Sequence, residues 1–92
     1  MVVYKNESFL IEDKVREYFK ECYKHLDLSI MYEETNDLIT GYYITIKEDR
    51  LMMTARRYTS TENIESYKEL IDKIMENIND AVSCLLKRYY TA

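Results

Sequence analysis

The sequence predicts an α+β fold of order α-β-β-β-α, a three-stranded antiparallel meander with both helices packed on one face. Three observations predict it: apolar residues recurring every three or four positions near both ends, a switch to alternation from Leu28, and short turn-like connections at 34–37 and 48–49. With 92 residues the chain is large enough for one modest core, so residues 1–92 read as a single α+β domain.

Residues 1–7 form a short lead, extended over 2–4. Asn6 or Ser8 is placed to cap a first helix whose inner seam is Ile11, Val15, Tyr18, Cys22 and Leu26, flanked by Phe19 and Tyr23. Its outer face mixes signs in Glu12, Asp13, Arg16, Glu17, Lys20, Glu21 and Lys24, as a solvated helix does and a basic arm does not. His25, the one histidine, stands near the end of this helix, where the helix dipole favours a cation.

From Leu28 the apolar period becomes two. Leu28, Ile30 and Tyr32 alternate with Ser29, Met31 and Glu33, which reads as a half-buried strand. Residues 34–37, ETND, make a turn by composition. A second strand over 39–47 puts Tyr42, Ile44 and Ile46 on one face and Tyr43, Thr45 and Lys47 on the other; Gly41 inside it points to a bulge or a close backbone approach. Glu48 and Asp49 turn the chain into a third strand over 50–59, with Leu51, Met53 and Ala55 alternating against Met52, Thr54, Arg56 and Tyr58. Short connections favour antiparallel neighbours.

Residues 60–90 read as one long helix, capped by Ser60 or Thr61. Ile64, Tyr67, Ile71, Ile74, Ile78, Ala81, Leu85 and Tyr89 form its apolar seam. Glu62, Glu65, Glu69, Asp72, Glu76 and Asp80 recur at nearly the same steps from two residues earlier, so at about 100° per residue they line the opposite face. Lys73, four residues after Glu69, is positioned for an i,i+4 ion pair. A helix of that length spans about 45 Å against about 25 Å for strands of seven or eight residues. The excess requires either a break near Asn77, Asn79 and Asp80, which are weak helix formers, or a partner such as a second copy at Val82, Leu85, Leu86 and Tyr89.

A formal net charge of -4 argues against an unspecific binder of nucleic acid or anionic membrane, since both partners are negative. No stretch approaches the roughly 18 apolar residues of a membrane span and the start lacks a signal-peptide core, which points to the cytosol. Cys22 and Cys84 lie far apart within helical patterns and read as buried reduced thiols. For catalysis, Glu33, Glu34 and Asp37 fall at one end of the meander and Glu48 and Asp49 at the other, so they do not converge on a metal. No phosphate loop or nucleophile elbow is present. The expectation is therefore a non-enzyme with no cofactor or metal.

Two surfaces remain as candidates for binding. The sheet face without helices would present Met31, Tyr43, Thr45, Lys47, Met52, Thr54, Arg56 and Tyr58, a composition with the Tyr and Arg anchors of protein interfaces. Arg56 and Arg57 are consecutive, so only one of them shares that face. The acid stripe of Glu62, Glu65, Glu69, Asp72, Glu76 and Asp80 reads either as an ordinary solvated face that supports its own helix or as a surface that meets a basic groove.

The acid stripe ENIESYKELIDKIMENIND and the meander DLITGYYITIKEDRLMMTARRYT give a chain that resembles the small phage-encoded anti-CRISPR inhibitors in size, acidity, tyrosine content and element order. That resemblance implies a non-enzymatic inhibitor of phage or mobile-element origin, docking on a host or defence protein with its acids in a nucleic-acid site. Abundant Ile, Lys, Asn and Tyr with no Pro and one Gly fit translation from an AT-rich genome. The element order is also similar to that of the double-stranded RNA-binding domain, which implies the alternative of nucleic-acid binding, here through Lys47, Arg56, Tyr43 and Tyr58 on the sheet. Where that family carries a lysine cluster this chain has Thr61, Glu62, Asn63, Ile64 and Glu65, which repel phosphate.

Overall fold

The computed structural model describes the backbone of residues 1–91 and the side chains of residues 1–88. Its elements are β1 (Val3–Tyr4), α1 (Ser8–Cys22), β2 (Asp27–Thr35), β3 (Leu38–Glu48), β4 (Met53–Ser60) and α2 (Tyr67–Thr91), with single 3-10 turns at Lys5–Glu7 and Asp49–Leu51. The fold is α+β in the expected order, with one addition. The extended lead is a two-residue strand that pairs Val3 with Ile39 and Tyr4 with Leu38, making the antiparallel sheet four-stranded around β3. Lys5 fastens this strand: its N–H donates to the Asp37 carbonyl at 2.9 Å and its ammonium lies 3.2 Å from Glu34.

The β2–β3 hairpin is tighter than its composition implies. The strands run to Thr35 and from Leu38, leaving only Asn36 and Asp37, at φ 53° and 64°, as the turn. Positive φ at both positions is the primed geometry whose twist matches antiparallel strands. Both expectations raised by Gly41 are met. Register moves from Glu33 opposite Gly41 to Glu34 opposite Ile39, so Thr40 is an extra, bulged residue. The bulge lets Ile39 and Tyr42, three apart, both face the core. At Gly41 a Cβ would sit 2.1 Å from the Tyr58 hydroxyl, so glycine makes room for that ring.

The second turn departs from the expected strand. Residues 49–51 form a 3-10 turn, Glu48 accepts from the Arg50 N–H at 3.0 Å, and Met52 adopts a left-handed conformation with φ 50°. Strand β4 begins only at Met53.

On α1 the buried apolar positions are Ile11, Val15 and Phe19, spaced by four, with the Tyr23 ring packed after them at 5.4 Å from Phe19. Tyr18 and Cys22 are exposed, which corrects the expected seam, and the helix stops before Leu26. A step of four drifts by about 40° per turn on a 3.6-residue helix, so one line holds over the short span from Ile11 to Phe19. Neither expected cap acts: Glu7 holds the cap position without a side-chain bond, and the buried Ser8 hydroxyl instead donates to Glu12 at 2.8 Å and meets the Tyr42 hydroxyl at 2.9 Å. Burial pushes the Tyr42 phenol up in pKa. The cysteines also differ from expectation, Cys22 being exposed and Cys84 half-buried, both free.

The largest correction concerns α2. It starts at Tyr67 because Thr61 continues the sheet contacts, its N–H donating to the Thr40 carbonyl at 3.1 Å, and Asn63 turns left-handed at φ 63°. Ser66 is the cap: its hydroxyl accepts from the Glu69 N–H, while the Glu69 carboxylate reaches back to the Glu65 N–H, both at 3.1 Å. Ile64 is buried from the loop rather than from the helix, Tyr67 is exposed, and Leu70 is fully buried in its place beside Ile74, Ile78, Ala81, Val82 and Leu85.

The helix then runs unbroken through Asn77, Asn79 and Asp80. Each finds a partner off the helix instead of competing for its backbone. Asn77 donates to the Thr59 hydroxyl at 2.6 Å, Asn79 accepts from the Tyr23 hydroxyl, and Asp80 accepts from Arg57 Nε at 2.8 Å. The expected overhang is absent as well. With 25 residues α2 spans about 37 Å, and the 11 residues of β3 also span about 37 Å. The length argument for a partner chain at its end therefore lapses. Tyr89 falls outside the residues whose side chains are described.

Helix α2 lies over β4 and β3, with α1 beside it against β2, and the buried apolar side chains form one cluster between the helices and the sheet. Among the described residues no helix covers the opposite face of the sheet. No helix among the described residues is long and apolar enough to cross a membrane.

Candidate functional site

Alternation decides which side chains of the sheet reach the open face, and register decides which of them meet. Met31 of β2 stands opposite Tyr43 of β3, and Tyr43 opposite Tyr58 of β4, so three exposed side chains form one row across three strands. In the next row Ser29, Thr45 and Arg56 align, with Arg56 Nε 3.4 Å from the Thr45 hydroxyl, and beyond it Asp27, Lys47 and Thr54. Arg57 points to the helix side and pairs with Asp80, as consecutive strand residues must. Of the expected sheet-face residues, Met31, Tyr43, Arg56 and Tyr58 are therefore neighbours. Met52 is not among them. It is 92% exposed at the far turn, just before Met53, whose partner Glu48 lies five residues or about 17 Å along β3 from Tyr43.

The tyrosines are held rather than loose. Their ring centroids are 4.7 Å apart at 45°, within the range of favourable aromatic pairs. Glu33 Oε2 accepts from the Tyr43 hydroxyl at 3.4 Å, and its Oε1 accepts from Tyr58 at 3.3 Å and from the Thr40 hydroxyl at 3.0 Å. Burial pushes the Tyr58 phenol up, and the charge of Glu33 and then of Glu62 pushes it further. The Tyr58 phenol therefore stays protonated at neutral pH and donates. The sequence pattern placed Glu33 on a strand but not at this junction, because its partners are set by the bulge at Thr40.

The six acids of the expected stripe divide. Glu62 and Glu65 precede α2 in the loop, and Glu69 serves its capping contact. Asp72 and Glu76 are exposed, and Asp80 is paired with Arg57. Among the described residues no ion pair joins Glu69 to Lys73. Asp72 faces solvent, whereas Glu62, Glu69 and Glu76 line a cleft together with Tyr58, so the acid stripe meets the tyrosine row at that edge of the sheet.

Two other features complete the surface. Asp27 and Asp49, separate in sequence, meet at the far turn, and Asp49 holds the Asp27 carboxyl above the usual carboxylate range, first through a shared hydrogen bond and then through its charge. A groove of about 430 Å³ at the end of α2 is lined by Leu26, Leu51, Met53, Val82, Leu85 and Leu86. No group of three or more His, Cys, Asp or Glu among the described residues is placed to hold a metal ion.

Compared with known proteins, the chain matches no family model, no curated protein and no solved structure.

Proposed function

We propose that the chain is a non-enzymatic protein-binding module, a small inhibitor of phage or mobile-element origin that docks on a host or defence protein, and that the open sheet face makes the contact. One observation carries the reading: Met31, Tyr43 and Tyr58 stand exposed in a single row, with the two rings fixed by Glu33. Tyrosine offers large contact area with few rotatable bonds, and a fixed ring loses little entropy on binding. Methionine beside it adapts to the partner's shape. The acid stripe supports the inhibitor reading less than its sequence spacing implied, since two of its members precede the helix and two others make contacts within the protein.

The nucleic-acid alternative retains one favourable observation, that Lys47 and Arg56 share the open face with both tyrosines. Against it, Glu33 sits under the rings and Asp27 stands opposite Lys47, so phosphate would meet both signs of charge.

The test compares the wild-type protein, Tyr43→Ala/Tyr58→Ala and Asp72→Lys/Glu76→Lys, each immobilised and exposed to a lysate of its host cells. The expected outcome is a protein captured by the wild type and the charge-reversed variant and depleted about tenfold or more by the tyrosine variant. Equal capture by all three counts against the reading. A salt-sensitive mobility shift of labelled RNA or single-stranded DNA, lost in the tyrosine variant, would instead favour the alternative.

A further inference from the structure

The Tyr43–Tyr58 end of the open face is distinguished by which hydrogen-bonding groups it turns outward. A phenol or hydroxyl has one hydrogen to donate and lone pairs to accept with. The hydrogens of Tyr43, Tyr58 and Thr40 are all directed at Glu33, and that of Tyr58 lies equally near the Thr40 carbonyl at 3.3 Å. The Thr61 hydroxyl, at the same end, donates inward to the Ile39 and Thr40 carbonyls at 3.1 and 3.2 Å. What remains outward is acceptor capacity: the two phenol oxygens and the Glu33 carboxylate, with the Glu62 carboxylate beside Tyr58.

The ion pairs among the described residues are Lys5–Glu34, Lys14–Glu17, Arg50–Glu48 and Arg57–Asp80, so neither Glu33 nor Glu62 has a cation of its own. On the sheet face Arg56 lies one row away against Thr45, and Lys73 of α2 shares a cleft with Tyr58 and Glu62 without a direct ion pair to either Glu33 or Glu62. Each tyrosine keeps about two fifths of its surface exposed, 37% for Tyr43 and 41% for Tyr58, so the negative ring faces are within reach of solvent. Beside Tyr58 a cleft of about 480 Å³ opens, bounded by Thr40, Ser60, Glu62 and Asn63. Met31, 63% exposed, adjoins Tyr43 on the other side.

An acceptor-rich, anionic site walled by aromatic rings complements a flat donor-only cation. We propose that this site receives an arginine side chain of a protein partner, its guanidinium on Glu33 and the phenol oxygens, its plane against a tyrosine ring and its aliphatic stem over Met31. Guanidinium supplies five N–H donors and no acceptor, forms paired bonds to a carboxylate, and stacks on aromatic faces. Lysine offers a point charge without the planar fork and fits less well. A phosphate group would meet the Glu33 and Glu62 carboxylates here. The inference rests on the reading of the open face as a docking surface and names the chemistry that surface selects.

The test uses the intact protein and three blocked peptides, acetyl-Gly-Arg-Gly-amide and its lysine and citrulline counterparts, titrated while the ring resonances of Tyr43 and Tyr58 are followed by NMR. Citrulline keeps the shape of arginine and removes its charge. The expected result is a saturable shift of both rings with the arginine peptide, roughly fivefold weaker or more with lysine and absent with citrulline. Glu33→Gln, which retains an acceptor for one phenol, is expected to weaken the arginine response about fivefold or more, and Glu62→Gln, which touches neither ring, by about twofold.

Equal responses to arginine and citrulline, or an arginine response unchanged in both variants, overturn the proposal. If that happens while Tyr43→Ala/Tyr58→Ala still loses a captured protein, the face docks its partner by other chemistry and only the arginine assignment falls. If the tyrosine variant also captures normally, both fall.

Discussion

The two outward surfaces of this molecule, the open face of the sheet and the outer face of α2, differ in what their polar groups are tied to. On α2, Glu69 accepts the Glu65 N–H at the start of the helix, and Asp80 fastens the helix to Arg57 of β4. These acids account for themselves as parts of the fold, and the exposed pair Asp72 and Glu76 adds a solvated face. On the sheet, the side chains of Glu33, Tyr43, Tyr58 and Thr40 are tied to one another at the surface. The contacts of the first surface hold the protein together. Those of the second hold a surface in shape, which matters only if something outside the chain meets it.

The difference can be broken most strongly from the inner side of α2. Ile78→Ala removes a fully buried side chain and is expected to cost about 2–5 kcal/mol in urea unfolding, whereas Asp72→Ala or Glu76→Ala stays within about 0.5 kcal/mol. Acid variants as costly as Ile78→Ala would mean that the outer face does more for the fold than its exposure allows. Ser66→Ala removes the cap that receives the Glu69 N–H and is expected to cost about 1 kcal/mol.

Gly41→Ala acts on the other surface. The added Cβ drives the Tyr58 ring off Gly41, and since Gly41 has no positive φ the backbone accepts alanine. Its expected signature is loss of the nuclear Overhauser contacts between the Tyr43 and Tyr58 rings, with about 0.5–1.5 kcal/mol of stability lost with the pair. Retained contacts would show that the two rings do not depend on that opening.

The smallest effect is electrostatic. Asp27 has its pKa raised by Asp49, so the folded state favours its protonated form. That contribution is present at acid pH and is lost as pH rises through the folded pKa. Asp27→Asn should accordingly gain on the wild type in thermal unfolding as pH rises out of the carboxylate range, and match it below. A gain that is the same at every pH would contradict the contact.

Much of this contrast is legible in the residues, and what is not has a common cause. Alternation in 42–47 and 53–58 is enough to sort Tyr43, Thr45, Lys47, Arg56 and Tyr58 onto one face, because each strand obeys period two regardless of its neighbours. The row of Met31, Tyr43 and Tyr58 and the role of Glu33 depend on register, which the bulge at Thr40 and the two-residue turn at Asn36 and Asp37 set. Apolar spacing alone places the start of α2 too early, because Ile64 continues that spacing while sitting in a loop. The Ser66-x-x-Glu69 capping pattern, four residues farther on than Glu62, marks the true start and places Glu62 and Glu65 outside the helix. Once the helix begins at Tyr67 and β3 runs eleven residues, their lengths agree and neither a break nor a partner is required at its end.

The central claim is that a partner meets the tyrosine row and not the acid face. Photo-crosslinking side chains placed singly at positions 31, 56, 72 and 76, and irradiated in a lysate of host cells, test it most directly. These positions leave the Tyr43–Tyr58–Glu33 contacts intact. The expected result is one protein crosslinked from 31 and 56 and none from 72 or 76; crosslinks to a protein from 72 and 76 with none from the sheet would contradict the account.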